Sequence, residues 1–466
     1  MDKLEGYTMF YGREAERKKL NTMFHSDGQK ISLIYGRRRI GKSELIKQVL
    51  KGTDLKSIYY ECKQTTEQNN VDSLSELIGE AFNFPKPAFE NIENLLRFLF
   101  KSSEQKPLIL VLDEYSYLRE NVKGLDSILQ SVIDSYKDTS KIKLIICGSY
   151  VDTMKALLAK QNPLYGRIDL TINLKPMDYY DSALFYSDFS DEDKVRLFSV
   201  FGGIPYYNRL IDAQKSVREN IIDLIASPGA RLENEVSMYL NSEISKITNA
   251  NEVFEALAKG FSRYKDLLNQ SNVSSGPALV DILDKLIRMD VVAKEAPIND
   301  ENNRKKSGYF ISDNLSLFYY KYIFRNISRM NLMDSDIFYD KYIAADFETK
   351  YVPKIFESIC RQYLIRKNRK GLMDEIFEKI GKYYYDDPIE KKNGEFDIVT
   401  LDDNGYIFYE SKFRKDPITE SMIQNEIRQV QQTGLKCYKY GFFSKTGFLC
   451  EQKEDRILID LNELYQ

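Results

Sequence analysis

The 466-residue chain has no tryptophan, one histidine (His25), five cysteines and twelve prolines. A single imidazole excludes multi-histidine metal sites and all but excludes histidine as a general base. The cysteines, Cys62, Cys147, Cys360, Cys437 and Cys450, are scattered and make no CxxC pair. Zinc binding and thiol redox chemistry are thereby disfavoured, and the cysteines read as buried thiols of a reducing cytoplasm. No window approaches the ~20 apolar residues that span a bilayer, and the stretch MDKLEGYTMFYGRE lacks the apolar run of a secretion signal. The expectation is a cytoplasmic protein without a membrane partner. A dominant charge is also missing: 67 Lys and Arg stand against 70 Asp and Glu, a net charge of −3. Any nucleic-acid contact must therefore come from a local basic patch.

What is present is apolar material for several cores, 43% of residues, with 29% charged. At roughly 150 residues per domain the length implies about three domains. Short β-branched runs alternate with helical patterns over the first 175 or so residues, the mark of a parallel sheet covered by helices. Strands are expected at Ile31–Tyr35, Ser57–Glu61, Leu108–Leu112, Lys143–Cys147 and Leu170–Leu174, with helices such as Ser43–Leu50 and Ile92–Ser102 between them. The pattern then turns helical from Asp178 to about Asn241, broken at Gly202-Gly203-Ile204-Pro205. Helical spacing at Val253–Lys259, Tyr264–Asn269 and Gly276–Met289, followed by strand-like Val291–Glu295 and Gly308–Ser312, reads as a winged helix-turn-helix. Strands near Lys382–Tyr385, Glu395–Leu401, Tyr406–Phe413 and Lys439–Phe443, with helices through Phe356–Leu364 and Ser421–Gln432, read as a separate α/β domain.

Gly36-Arg37-Arg38-Arg39-Ile40-Gly41-Lys42-Ser43, with Glu44 opening the next helix, fits GxxxxGK(S/T) between a strand and a helix. Its glycines let backbone N–H groups point at phosphate oxygens, and the helix adds its positive end. Lys42 suits the β- and γ-phosphates of ATP, and the Ser43 hydroxyl suits Mg2+. Leu108 to Leu112 end in Asp113 and Glu114. Asp113 is expected to hold the Mg2+ shell, and Glu114 to polarise a water for attack on the γ-phosphate. Ser149 reads as a donor to the γ-phosphate or as a small turn residue. Arg167 reads as an arginine finger reaching a neighbouring copy in a homo-oligomer or as a surface ion pair. Gly12 and Arg13 are expected to border the adenine.

The segments FYGREAE, GRRRIGKS, LILVLDEY, IICGSY, PLYGR and GGIPYY, in that order, resemble the archaeal-type ATPase family within the signal-transduction branch of AAA-like P-loop NTPases. The resemblance covers about residues 9–240 and implies that Gly202, Gly203 and Pro205 lie near the base of the nucleotide.

Toward the C-terminus, Gly394 to Val399 and Ile407 to Phe413 form an expected hairpin through Asp402-Asp403-Asn404-Gly405. Strand alternation puts Glu410 and Lys412 on one side, a hairpin partner sets Asp397 beside them, and Glu357 on a preceding helix can join. Hard oxygen donors from Asp397, Glu410 and the Ser411 carbonyl suit Mg2+, with Lys412 orienting a water or balancing phosphorane charge. Asp397, twelve intervening residues and Glu410-x-Lys412 resemble the PD-(D/E)XK nuclease superfamily. Phe443-Ser444-Lys445-Thr446-Gly447-Phe448 also resembles a domain of unknown function often fused to archaeal-type ATPases. The nuclease resemblance implies DNA or RNA as a partner. The candidate recognition helix Gly276–Met289 is acidic and apolar, which favours a packing module, while Arg304, Lys305 and Lys306 in the wing loop would suit phosphate.

The expected fold class is multidomain α/β: a P-loop NTPase parallel sheet over 1–177, a helical lid over 178–245, a winged helix over 246–325 and a restriction-endonuclease-like α/β domain over 326–466. Two functions remain open: an ATP-hydrolysing switch or motor coupled to a Mg2+-dependent nuclease-like domain, or a nucleotide-gated scaffold with slow turnover and an inactive C-terminal centre.

Overall fold

The computed structural model describes residues 10–238, 249–303, 306–387 and 392–466. The chain divides into two compact units, Met1–Pro176 and Met177–Gln466. Among the described residues no helix is long and apolar enough to cross a membrane.

The first unit is built on β1 (Lys30–Tyr35), β2 (Lys56–Glu61), β3 (Leu108–Asp113), β4 (Ile142–Gly148) and β5 (Leu170–Asn173), in the order β2-β3-β4-β1-β5. All four pairings are parallel. Parallel strands need crossovers, and helices on both faces leave β3 and β4 buried along their whole length, which is why LILVL and LIICG read as unbroken apolar runs rather than alternating ones. The expected strands appear within a residue or two. Because β3, β4 and β1 are neighbours, the loops that follow them open side by side at one edge of the sheet, where α/β proteins gather ligands.

The second unit begins with helices Tyr179–Ala183, Asp191–Phe201, Pro205–Asn208 and Val217–Leu224. Met177 donates its N–H to Gly203 O at 2.8 Å, pinning the Gly-Gly-Ile-Pro break against the start of the unit. Helices Ala250–Ala258, Tyr264–Gln270 and Gly276–Arg288 then lead into an antiparallel pair, β6 (Val292–Glu295) and β7 (Gly308–Ile311). The long helix Val352–Arg369 precedes a second five-stranded sheet. Its strands are β8 (Lys379–Asp387), β9 (Lys392–Asp402), β10 (Gly405–Lys412), β12 (Cys437–Ser444) and β14 (Arg456–Asp460), ordered β14-β12-β10-β9-β8. β8, β9 and β10 meander antiparallel, and β10, β12 and β14 run parallel. The helix Glu420–Gln432 makes the crossover from β10 to β12, as a parallel connection requires. A small pair, β11 (Ile418–Thr419) with β13 (Phe448–Leu449), lies apart.

The loop after β6 does not stand free. Ile298 N donates to Lys382 O at 2.7 Å, and the Asn299 amide closes a two-way pair with Tyr384, giving to its O at 2.8 Å and accepting from its N at 3.2 Å. The Ile298 side chain belongs to the apolar core formed by Phe396, Val399, Phe408, Ile427 and Phe442. The helix-and-hairpin segment and the C-terminal sheet therefore share a core across residue 325. In that loop Lys306 is paired with Asp300 at 3.4 Å; Arg304 and Lys305 lie outside the described residues.

Candidate functional site

At the edge of the first sheet, Gly36 follows β1 so closely to the chain after β5 that a Cβ would lie 2.4 Å from Leu174 O. Only glycine fits there. The loop then closes into the helix Lys42–Lys51, whose first turn has no side-chain cap. Its N–H groups are thus open to an anion, with the helix dipole favouring negative charge. The Lys42 ammonium is buried and donates to Gly36 O at 2.9 Å, Arg37 O at 3.1 Å and Ser149 Oγ at 2.9 Å. Burial pulls the Lys42 pKa below its usual value, against the charges of Glu114 and Asp113. Ser149 Oγ donates onward to Glu114 Oε1 at 2.6 Å, and Ser149 N to Glu114 Oε2 at 3.3 Å. One hydroxyl after β4 therefore links the loop lysine to the acid after β3.

Ser43 Oγ donates to Asp113 Oδ2 at 2.7 Å, and Glu114 N to Asp113 Oδ1 at 2.9 Å. Burial pushes the Asp113 carboxyl up, but hydrogen bonds from Tyr59 and Ser43 outweigh it and hold the group below its ordinary value. A lysine, an uncapped helix start and adjacent hydroxyl and carboxylate oxygens are the donor set that a Mg2+-nucleotide needs, so the residues present fit both groups.

The remaining positions fall around this centre. Gly12 and Arg13 take left-handed φ of 65° and 61°, and Arg13 Nη2 reaches Ile40 O at 3.4 Å, so the entry segment packs on the loop. Arg37 and Ile40 are buried, whereas Arg39 and Glu44 are exposed. Arg38 Nη2 donates to the hydroxyls of Tyr117 and Tyr150 at 3.2 and 3.0 Å. Arg167 is committed to Asp134 by two bonds of 2.8 Å and to the carbonyls of Pro163 and Tyr165, so within the chain it serves an ion pair. Gly203 and Pro205 belong to the second unit.

The second unit brings its own charged centre together. Asp397 on β9 accepts from Lys382 on β8 at 2.7 Å and from Lys354 at 3.4 Å, and Lys354 also donates to Glu357 Oε2 at 2.5 Å. β9 and β10 pair so that Ile398 faces Tyr409, and the next step of the same antiparallel register sets Asp397 opposite Glu410. Lys412 binds Glu410 and, at 3.1 Å, Glu426 of the helix Glu420–Gln432. Burial raises the Glu410 pKa to about 7 against the pull of Lys412. Burial also raises Glu357, with the Asp397 charge adding to it, while Lys382 and Lys354 overcome burial to hold Asp397 low. Ser411 lies between Glu410 and Lys412, in register with Phe443. Among the described residues no group of three or more His, Cys, Asp or Glu is arranged to hold a metal ion. The hard donors here are the carboxylates of Asp397, Glu357, Glu410 and Glu426, each already bound by lysine.

Sequence reasoning missed Tyr59, whose phenol donates to Asp113, and the group Lys354, Lys382 and Glu426. None carries a local motif: Tyr59 and Lys382 reach the centres only through strand order, and Glu426 only through a crossover.

A parallel sheet whose first loop presents Lys42 and Ser43 to acids at the end of a neighbouring strand defines an α/β ATPase of the P-loop NTPase type. Residues 10–210 match the family described as an ATPase domain predominantly from Archaea, and residues 319–430 match a family of archaeal and bacterial proteins of unknown function. The chain thus carries an archaeal-type ATPase domain joined to a C-terminal domain of that second family. An uncharacterized protein of Methanocaldococcus jannaschii, MJECL04, is 27% identical over 463 residues, covering 98% of this chain and 100% of its own. A second protein of that organism, MJ0424, is 34% identical over 87 residues, 17% of this chain and 84% of its own. The Walker-type ATPase PABY2304 of Pyrococcus abyssi superposes with a TM-score of 0.51 at 18% identity, over 67% of this chain and 96% of that one. This last likeness bears on the fold alone.

Proposed function

We propose that the protein binds and hydrolyses Mg-ATP at the Gly36–Ser43 loop and uses the cycle to switch a nuclease-like, nucleic-acid-acting centre in its C-terminal domain. The observation that carries the first half is the chain Lys42–Ser149–Glu114 beside the pair Ser43–Asp113. Lys42 would exchange its two loop carbonyls for phosphate oxygens, and the loop and helix N–H groups would hold the rest of the triphosphate. Ser43, with Asp113 behind it, would hold Mg2+, which would supply neutralisation of the triphosphate charge. Glu114 follows β3 with Oε1 on the Ser149 hydroxyl and Oε2 on its N–H, and as a carboxylate beside Lys42 it can accept a proton from a water aligned on the γ-phosphate. In this reading Gly12 and Arg13 flank the nucleotide.

The test is direct. Lys42→Ala is expected to weaken ATP binding at least ~100-fold by calorimetry, whereas Glu114→Gln keeps binding and slows turnover at least ~100-fold, the usual range for removing a charge-stabilising donor or a general base. Tight ATP binding by Lys42→Ala would overturn the site.

For the C-terminal centre, the support is the convergence of Asp397, Glu410 and Lys412 on adjacent strands with Glu357 facing them. Asp397 and Glu410 would present oxygens to Mg2+ once Lys382 and Lys354 move to a substrate phosphate, with Lys412 balancing charge. The three helices and the β6–β7 pair support a winged-helix reading, here as a module packed on the C-terminal sheet. Cleavage of labelled DNA and RNA with Mg2+ or Mn2+, lost in Asp397→Ala and Lys412→Ala, would establish the activity. A specific observation favours a second reading: Asp397 and Glu410 are bound by lysines, and no three acids group for a metal among the described residues. Unchanged nucleic acid under every condition, alongside intact ATP turnover, would identify a nucleotide-gated scaffold.

A further inference from the structure

The Ser43–Asp113 pair is held by a third group from outside the phosphate-loop pattern. Tyr59 lies on β2, the edge strand, in register with Val111 of β3, and Asp113 is two residues further along the same strand. Registered residues of parallel strands share a face, and so do residues two apart, which puts Tyr59 and Asp113 on one side of the sheet. The helix Lys42–Lys51 lies over that side. Its Ser43 reaches Asp113, and one turn later the Lys47 ammonium stands 5.3 Å from the centre of the Tyr59 ring. The phenol donates to Asp113 Oδ2, the same oxygen that accepts the Ser43 hydroxyl, while Oδ1 accepts Glu114 N–H at 2.9 Å.

We propose that Tyr59 is a positioning residue for the divalent cation of the bound nucleotide. The inference rests on the assignment of Ser43 and Asp113 to Mg2+ made above. A hydroxyl that ligates a cation through its lone pairs still has its proton to give, and Asp113 Oδ2 is where that proton goes. The direction of the Ser43 lone pairs is therefore set by where the carboxylate stands. With only Ser43 on Oδ2 the carboxylate can swing with the helix; with Tyr59 added from a different element and Glu114 N–H on the other oxygen, it cannot. Hydrogen-bond partners behind a metal site commonly change metal affinity 10–100-fold when lost. Lys47 stands over the ring, while the phenol, the Ser43 hydroxyl and Glu114 N–H make the bonds to the carboxylate.

The experiment uses the full chain and a ribose-labelled fluorescent ADP, titrated with and without Mg2+. Tyr59→Phe is expected to bind the metal-free nucleotide as the wild type does, and to need about 10-fold more Mg2+ to reach the half-maximal effect on binding. Lys47→Gln, which keeps the phenol, is expected to match the wild-type Mg2+ midpoint. An unchanged midpoint in Tyr59→Phe, or an equal shift in both variants, overturns the proposal. A wild type indifferent to Mg2+ would overturn the assignment of Ser43 and Asp113 instead. If Tyr59→Phe does not fold, 3-fluorotyrosine placed at position 59 keeps the shape. Its fluorine resonance must then move when Mg2+ is added to the ADP complex, and a resonance that stays put overturns the proposal.

Discussion

A methyl group on Gly203 would lie 2.0 Å from Met177 O and 2.7 Å from Met177 N. Neither backbone atom can retreat without breaking the bond from Met177 N to Gly203 O. Gly203→Ala is therefore expected to destabilise the protein by about 2 kcal/mol, the usual cost of forcing atoms into a filled space, measured as a lower urea midpoint. The same residue shows how far single positions could be read from sequence. A glycine pair before proline announces a break, and Lys42, Ser43, Asp113 and Glu114 announce themselves by spacing. The tight approach of Met177, or of Tyr59 to Asp113, announces nothing, because each depends on which distant segment folds alongside.

The strands of both sheets were legible because β-branched runs and flanking turn residues mark them locally. β14 and the 297–299 segment were not, since RILID and Pro-Ile-Asn are too short to show a period and are placed only by their partners. Both matter to how elements are held. Ile298→Ala removes a buried side chain from the core of the C-terminal sheet and is expected to cost about 2–4 kcal/mol in urea unfolding. At the other edge the buried Arg456 of β14 grips Glu420, at the start of the crossover helix, through bonds of 2.6 and 2.7 Å. Those bonds hold the Glu420 pKa down to about 2. A carboxyl whose folded pKa is depressed stabilises the fold above its unfolded value, near 4.3, and loses that contribution as pH falls through the folded value. The stability gap between wild type and Glu420→Gln should therefore be steady at neutral pH and shrink between about pH 4.5 and 2. A gap that stays constant in acid would show that the pair contributes nothing through charge.

At the scale of the molecule, a net charge of −3 hides two compact units, each with its own sheet and its own cluster of charge. The sequence could not show that Ile298, in the segment before residue 325, lends its side chain to the core of the sheet after it. Composition marks where apolar residues are, and not which core they join. This shared core bears on how the chain keeps itself dispersed. β8 is an outer strand, and outer strands offer unpaired backbone to any other strand that meets them. The bonds from Ile298 and Asn299 occupy the outward groups of Lys382 and Tyr384, so a piece of the preceding module acts as a guard rail along that edge. A fragment cut to begin at residue 334 should expose the edge and self-associate in light scattering. One beginning at residue 177, the start of the compact unit, should stay dispersed.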